Sequence, residues 1–234
     1  KEMKGLIGIK GVTGLALALG LFAAPPTFAD AGVTVTVTVT PGDSWISTAR
    51  IGFFNMKKAP QYAAWIETAD GDYVQTLMVT ARAAKGNWMS APDEGRPEAL
   101  PVWFAARSSG TKTADIDAAT SATPKASEGI SSSSKALVPG REYRIRFEVN
   151  HSFDYNETWP KSAKPGDEGY SGVNGQPSLV YEGRFAAGSG GTIELLPAGQ
   201  GSIDGSSGIL TAGTEGMTTA LSIVKKVDAE VRGE

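Results

Sequence analysis

The sequence predicts an all-β protein, a two-sheet antiparallel β-sandwich of immunoglobulin-like type with long loops. Three observations carry that expectation. Val33, Val35, Val37 and Val39 alternate with Thr34, Thr36, Thr38 and Thr40, a period-two pattern of β-branched residues. Further short runs of the same kind, giving seven or more strands in all, are separated by glycine- and proline-rich turns. No long stretch repeats at helical spacing, which leaves layered antiparallel strands as the economical way to bury these faces.

The elements follow in order. The Val/Thr run ends at Pro41-Gly42, with the valines expected toward the core and the threonines toward solvent or an edge. Ile46 to Phe54 reads as a second strand. Tyr62 to Thr68 and Tyr73 to Thr80 flank Ala69-Asp70-Gly71-Asp72, whose Asp-Gly pair makes this the strongest hairpin signal in the chain. Asn87 to Arg107 holds Trp88, Trp103 and Phe104 among Pro92, Pro97 and Pro101; it reads as an ordered, aromatic-anchored loop with at most a helical turn at Glu98 to Leu100, because prolines interrupt helices. Tyr143 to Val149, Ser178 to Phe185 and Thr192 to Leu196 read as strands. Met217 to Val224 reads as a short helix, and Val227, Ala229 and Val231 as a last strand.

Residues 1–29 are expected to be a signal peptide. Lys1, Lys4 and Lys10 form a positive start, Val12 to Ala24 an apolar stretch, and Thr27-Phe28-Ala29 a small-residue cleavage site before Asp30. The run is too short and glycine-rich for a membrane span. Residues 30–234 would then be a single sandwich domain, exported to a periplasm or cell surface, with no stable membrane insertion after cleavage. Residues 1–29 carry three Lys and one Glu, a net +2, so the −3 of the whole chain becomes −5 for the remainder. That balance offers no phosphate-binding footprint, so no nucleic-acid partner is expected. The chain contains no cysteine. This excludes disulfides, thiolate catalysis, iron–sulfur clusters and cysteine-based zinc sites.

Residues 108–135 are rich in Ser, Thr and Ala and contain no aromatic residue. They read as a loop, and a loop of that length inside a compact domain is usually functional or disordered. Near its middle stands Asp117-Ala118-Ala119-Thr120-Ser121-Ala122-Thr123. It fits the pattern Asp-x-x-(Ser/Thr)-(Ser/Gly)-Ala-Thr, and so resembles the target of flavin transferases of the ApbE type, which attach FMN to the final threonine through a phosphoester. The resemblance implies that Thr123 is the acceptor, with Asp117, Thr120, Ser121 and Ala122 as the positions the transferase reads. Small neighbours allow close approach, and Pro124 biases Thr123 toward extended backbone. The alternative is an unmodified surface loop.

A wider resemblance runs through the Tyr62-to-Thr80 hairpin, Arg96-Pro97-Glu98-Ala99-Leu100-Pro101-Val102-Trp103, Thr120 to Lys125, Glu148-Val149-Asn150, Phe153-Asp154-Tyr155-Asn156-Glu157 and Asn174 to Tyr181. Over most of residues 45–185 the chain is similar to an uncharacterised family of predicted bacterial periplasmic proteins, a domain of unknown function. That family accompanies PepSY-type membrane proteins and flavin transferases, which implies extracytoplasmic electron transfer.

Other residues invite chemistry. The carboxylates and amide of Phe153 to Trp159 fit calcium poorly, lacking a twelve-residue loop pattern, and read as an ordered turn; Tyr155 and Trp159 would be candidates to stack on a flavin. His151 is the only histidine and reads as a strand-end surface residue. Asn174 to Ser178 reads as a turn into a strand, although its amides suit a flat polar ligand. Trp65, Trp88 and Trp103 read as core or loop anchors, and Arg82, Lys85, Arg96 and Arg107 as solvated charges. No serine has a nucleophile context, and neither catalytic side chains nor a metal site are expected. The expected function is therefore an exported electron carrier with FMN on Thr123, passing electrons between a PepSY-type membrane redox protein and an extracytoplasmic acceptor. The alternatives are a non-redox module binding a glycan or protein, and a small-ligand carrier.

Overall fold

In the computed structural model, the described residues are 32–51, 53–86, 96–109, 119–121, 129–134 and 137–233. The signal-peptide expectation and Trp88 lie outside them. The described chain is all-β around a layered core. The first layer is built from β1 (Val33–Pro41), β7 (Gly129–Ser134), β11 (Val224–Gly233) and the first half of β10 (Gly191–Gln200). The second holds β4 (Gln61–Thr68), β5 (Tyr73–Thr80), β6 (Ala119–Ser121), β8 (Glu142–Asn150), β9 (Leu179–Ala186) and the second half of β10.

The two layers share β10. Gly191 to Leu195 pair with β11, whereas Leu196 to Gln200 pair with β9, and the register shifts between Pro197 and Gly199. A bulge is the usual way for one strand to turn a corner between packed sheets. The result is one continuous nine-stranded sheet in the order β6-β5-β4-β8-β9-β10-β11-β1-β7, folded over so that β5 and β7 lie in contact. It nearly closes into a barrel.

The core follows from the alternation. Val33, Val35, Val37 and Val39 are all buried while Thr34, Thr36 and Thr38 are half-buried; the threonines escape full exposure or burial because β1 lies between β11 and β7. Across from them stand Tyr62, Ala64 and Ile66 of β4, Tyr143, Ile145, Phe147 and Val149 of β8, and Leu179 and Tyr181 of β9. Rings link these elements in a chain: Trp45–Tyr62 at 5.9 Å, Tyr62–Phe147 at 5.8 Å and Phe147–Tyr181 at 6.0 Å between centroids. Offset and tilted pairs of this kind add about 0.5–1.5 kcal/mol each beyond their buried area.

The second layer is covered on its outer face as well. Ala63, Trp65, Val79 and Val180 point away from the first layer and meet Leu100, Val102 and Trp103. Here the expected loop over Asn87 to Arg107 is corrected: from Pro97 the chain makes a 3-10 turn, Pro97–Ala99, and then the helix α2 (Pro101–Ser109). Pro101 starts the helix rather than breaking it, because a first helical residue has no intrahelical partner for its N–H. A shorter helix, α1 (Ala81–Lys85), follows β5 directly.

Two further differences from the sequence reading concern strands. In place of one strand over Ile46 to Phe54 there is a separate hairpin of β2 (Ser47–Ile51) and β3 (Phe54–Lys58). Ile51 pairs with Phe54, leaving two residues between them, one of them a glycine, which is the commonest hairpin connection. And residues 108–135 are not all loop: α2 runs to Ser109, and β6 and β7 both come from this segment. Near the C-terminus the helical expectation reduces to a 3-10 turn, Thr219–Ser222, ahead of β11.

Candidate functional site at the seam of the sheet

The chain leaves β5 at Thr80, passes through α1 and α2, and returns as β6 parallel to β5, with Met78 opposite Ala119, Val79 opposite Thr120 and Thr80 opposite Ser121. Parallel neighbours require such a crossover. After β6 the chain reappears as β7, antiparallel to β1 on the opposite edge of the sheet, with Ile130 opposite Val37. The Ser/Thr/Ala-rich segment therefore supplies both edges where the folded sheet meets itself. Short, polar strands are what an edge tolerates, since they discourage further pairing.

This arrangement bears directly on the seven-residue pattern. Ala119, Thr120 and Ser121 have extended backbone at the edge of the second layer, beside the buried end of β5. Asp117, Ala122 and Thr123 lie outside the described residues; Thr123 belongs to the connection 122–128 that joins the two edge strands. Beside the edge, Thr80 donates its hydroxyl to Gln61 Oε1 at 2.7 Å and precedes α1 with extended backbone.

Under α2 lies a polar residue that the sequence reading passed over. Glu148 of β8 is fully buried. Its Oε2 accepts the backbone N–H of Trp103 at 2.8 Å, and its Oε1 accepts Val102 N–H at 3.3 Å and the Ser178 hydroxyl at 2.6 Å. The carboxyl thus caps the first turn of α2 from the neighbouring sheet, where orphan N–H groups and the helix dipole favour negative charge. Burial pushes it up to about 7, against these hydrogen bonds and the Arg146 charge, which pull it down. A Cβ on Gly201 would stand 2.4 Å from Ser178 Oγ and 3.1 Å from Glu148 Oε1, so only glycine fits over this pair.

Farther along the same face the charges are paired. Glu67 Oε1 accepts Trp65 Nε1 at 2.7 Å and meets Arg146 at 3.3 Å, and Glu182 meets Arg146 at 3.1 Å and Arg144 at 3.4 Å. The network crosses β4, β8 and β9 and ends at Arg184, which is largely exposed.

The loops that looked most like chemistry close on themselves. Gln176 is fully buried; its Nε2 donates to Asp154 Oδ2 at 2.8 Å and Thr219 Oγ1 at 2.6 Å, and its Oε1 accepts Thr218 N–H at 2.6 Å. Asn174 accepts from Arg96 at 3.1 Å and donates to the Glu98 carbonyl. These amides are occupied by the protein, as the turn reading requires. Gly175, at φ +81°, brings its Cα so close to Asp154 that a Cβ would stand 2.3 Å from the Asp154 carbonyl carbon. Asn156 likewise holds Trp159 N–H and the Gly216 carbonyl, and Tyr155 donates to the Gly172 carbonyl.

Two expectations are corrected. His151 is buried, not a surface residue: Nε2 lies 3.0 Å from the Ser44 carbonyl and Nδ1 3.3 Å from Ser47 Oγ, and burial lowers its pKa. Arg96 is not a solvated charge: it pairs with Glu98 at 2.7 Å and donates to Ser152 and Asn174. Trp65 and Trp103 are core anchors, as read from the sequence, and Trp103 Nε1 donates to Thr76 at 2.9 Å.

Among the described residues, no group of three or more His, Cys, Asp or Glu is placed to hold a metal ion, and no helix is long and apolar enough to cross a membrane. The chain matches no family model, no curated protein and no solved structure.

Proposed function

We propose that the protein is an exported electron carrier modified with FMN on Thr123, and that it passes electrons between a membrane redox protein of the PepSY type and an extracytoplasmic acceptor. One observation carries this reading: the residues at the heart of the transferase pattern, Ala119 to Ser121, run extended along a sheet edge. A transferase must take its acceptor peptide in extended form, and an edge strand three residues long is the kind of segment that can be lifted from a sheet at small cost. The resemblance of residues 45–185 to the periplasmic family supports the same partners, and the signal-peptide features of residues 1–29 support the compartment.

The residues present fit the group in their chemistry. Thr123 supplies the hydroxyl; small Ser121 and Ala122 leave room at the acceptor; Asp117 and Thr120 give the transferase polar positions to read. In the attachment the Thr123 oxygen forms a bond to the FMN-side phosphorus of FAD, the pyrophosphate bond breaks, AMP leaves, and the hydroxyl proton passes to a base of the transferase. Bound there, FMN supplies the redox chemistry, and the chain supplies tether, orientation and surrounding charge.

Co-expression with an ApbE-type transferase, followed by a denaturing gel under ultraviolet light, tests the reading. A fluorescent band that vanishes in Thr123→Ala is expected. Absence of the band from wild type, with an active transferase and FAD available, contradicts it and leaves a non-redox binding module as the better description.

A further inference from the structure

We infer that the β2–β3 hairpin is a membrane-docking arm that inserts its tip into anionic lipid, independently of any flavin on Thr123. The hairpin forms a two-stranded sheet of its own. At its tip Phe53 is 95% exposed, and Met56 on the arm and Ile46 at its base are 45% and 50% exposed. The sequence around the tip is Ile51-Gly52-Phe53-Phe54, four apolar residues in a row. The register pairs Ala49 with Met56 and Ile51 with Phe54, apolar with apolar, and Thr48 with Lys57 and Arg50 with Asn55, polar with polar.

The charge on the arm is opposite in sign to that of the whole chain. From Ser44 to Ile66 there is no acidic residue, while Arg50, Lys57 and Lys58 are cationic, in a protein of net charge −3. Lys57 is exposed. Exposed aromatic and aliphatic side chains beside basic residues are the composition of a surface that enters the headgroup region of an anionic bilayer. A protein partner is the weaker fit: stable protein interfaces cover roughly 800 Å² on each side with complementary shape, more than the tip of two five-residue strands offers.

The base of the arm is built to hold it out. Lys58 donates its ammonium to the Ser152 carbonyl and lies 4.3 Å from the Phe153 ring centroid. His151 bonds Ser47 and Ser44 on the other side. Phe153 adopts a left-handed backbone, φ +63°, a costly conformation for an aromatic residue that persists only where surroundings impose it. It is fixed by its N–H to the Val173 carbonyl at 2.6 Å and is itself 42% exposed beside the arm. Lys58, His151 and Phe153 are thus positioning residues for the arm.

The lack of cysteine allows a direct test in the full chain. Phe53→Cys is labelled with a polarity-sensitive fluorophore, and Asp70→Cys, in the exposed turn at the other end of β4, is labelled in parallel. With vesicles of phosphatidylglycerol and phosphatidylcholine, the label at position 53 should shift to the blue and that at position 70 should not; with phosphatidylcholine alone, the shift at 53 should fall at least tenfold in apparent affinity. An anchor through residues 1–29 would carry both labels to the vesicle without distinguishing them. In the unlabelled chain, Phe53→Ser should lower partitioning onto anionic vesicles by about tenfold, and Lys57→Gln by about fivefold. Raising the salt to about 1 M, where screening is nearly complete, should remove the preference for anionic lipid. Phe53 is almost fully exposed, so thermal unfolding should be unchanged and folding loss is separable. Equal shifts at both positions, a shift at 53 that depends on protein concentration without vesicles, or no shift with either lipid would each overturn the proposal; the last would leave an acidic protein as the partner to seek.

Discussion

The paired loops 153–159 and 174–178 and the Ser/Thr/Ala segment 108–135 make opposite impressions in sequence and opposite contributions in structure. The first pair is dense with Asp, Asn, Gln, Tyr and Trp, residues that bind ligands. In the fold nearly all of that polarity is spent internally, with Gln176 bridging Asp154, Thr219 and Thr218. The second is compositionally bland, yet it provides both edge strands of the sheet and carries the one pattern that resembles a modification target. Polar side chains buried in a loop need partners, and the nearest partners are usually other loops. A segment without large side chains has little to bury, so it goes where burial is least required.

The largest expected effect breaks the loop side of this comparison. Gln176→Ala removes a fully buried side chain and orphans the Thr218 N–H and one oxygen of Asp154, at a cost of about 3 kcal/mol or more. Urea unfolding with an unchanged slope should show it, and flavin attachment to the folded fraction should be unaffected. A variant that kept its stability but lost the flavin would instead make these loops a site.

A second effect concerns two of the buried titratable groups, Glu148 and His151, which act in opposite directions. The Glu148 carboxyl is raised from 4.5 to about 7. Across that window the folded protein keeps a proton that the unfolded chain releases, so stability falls as pH rises, by about 3 kcal/mol at most. His151 is lowered from its ordinary 6.5 by burial; its contribution is present above that value and lost as pH falls through the lowered one. Below 6.5 the two slopes oppose each other and largely cancel, so unfolding midpoints measured from pH 4 to 9 should decline with rising pH chiefly between about 6.5 and 7, where only Glu148 still titrates. Glu148→Gln should unmask a loss of stability as pH falls below 6.5, and His151→Gln should unmask a gain as pH falls from about 7 to 4.5. An unchanged profile in Glu148→Gln would mean that Glu148 stays charged throughout.

The smallest effect sharpens the seam side. Seven Gly and Ser residues inserted after Lys125 double the seven-residue connection 122–128 between β6 and β7 and leave the pattern through Thr123 intact. Loop-closure entropy assigns this about 0.6 kcal/mol, a shift of about 1–2 °C in thermal unfolding. A loss of several kcal/mol would show that the connection is packed into the fold.

What was legible in the sequence follows the same division. β1, the β4–β5 hairpin, β8 and β9 were legible because β-branched and aromatic residues alternate there and the turns between them carry Gly and Pro. α2 was not, since three prolines read as breakers until Pro101 is seen to occupy the first helical position. The polar edge strands β6 and β7 were not legible either: their pairing comes from Met78 to Thr80 and from Val33 to Thr38, residues distant in sequence. Arg144, Arg146 and Glu148 alternate with apolar neighbours, and nothing in that local pattern shows that α2 covers the strand at Glu148. His151 looked like a strand end at the surface because nothing local indicates that Ser44 and Ser47 close over it.

The central claim, that the bland segment carries the cofactor, is tested most directly by peptide mass spectrometry of the protein co-expressed with an ApbE-type transferase. The expected result is an FMN phosphoester on the peptide containing Thr123, with fragment ions that assign it to Thr123 rather than Thr120 or Ser121, and its loss in both Thr123→Ala and Asp117→Ala. An unmodified peptide from a transferase-active cell, or FMN on any other residue, would contradict it.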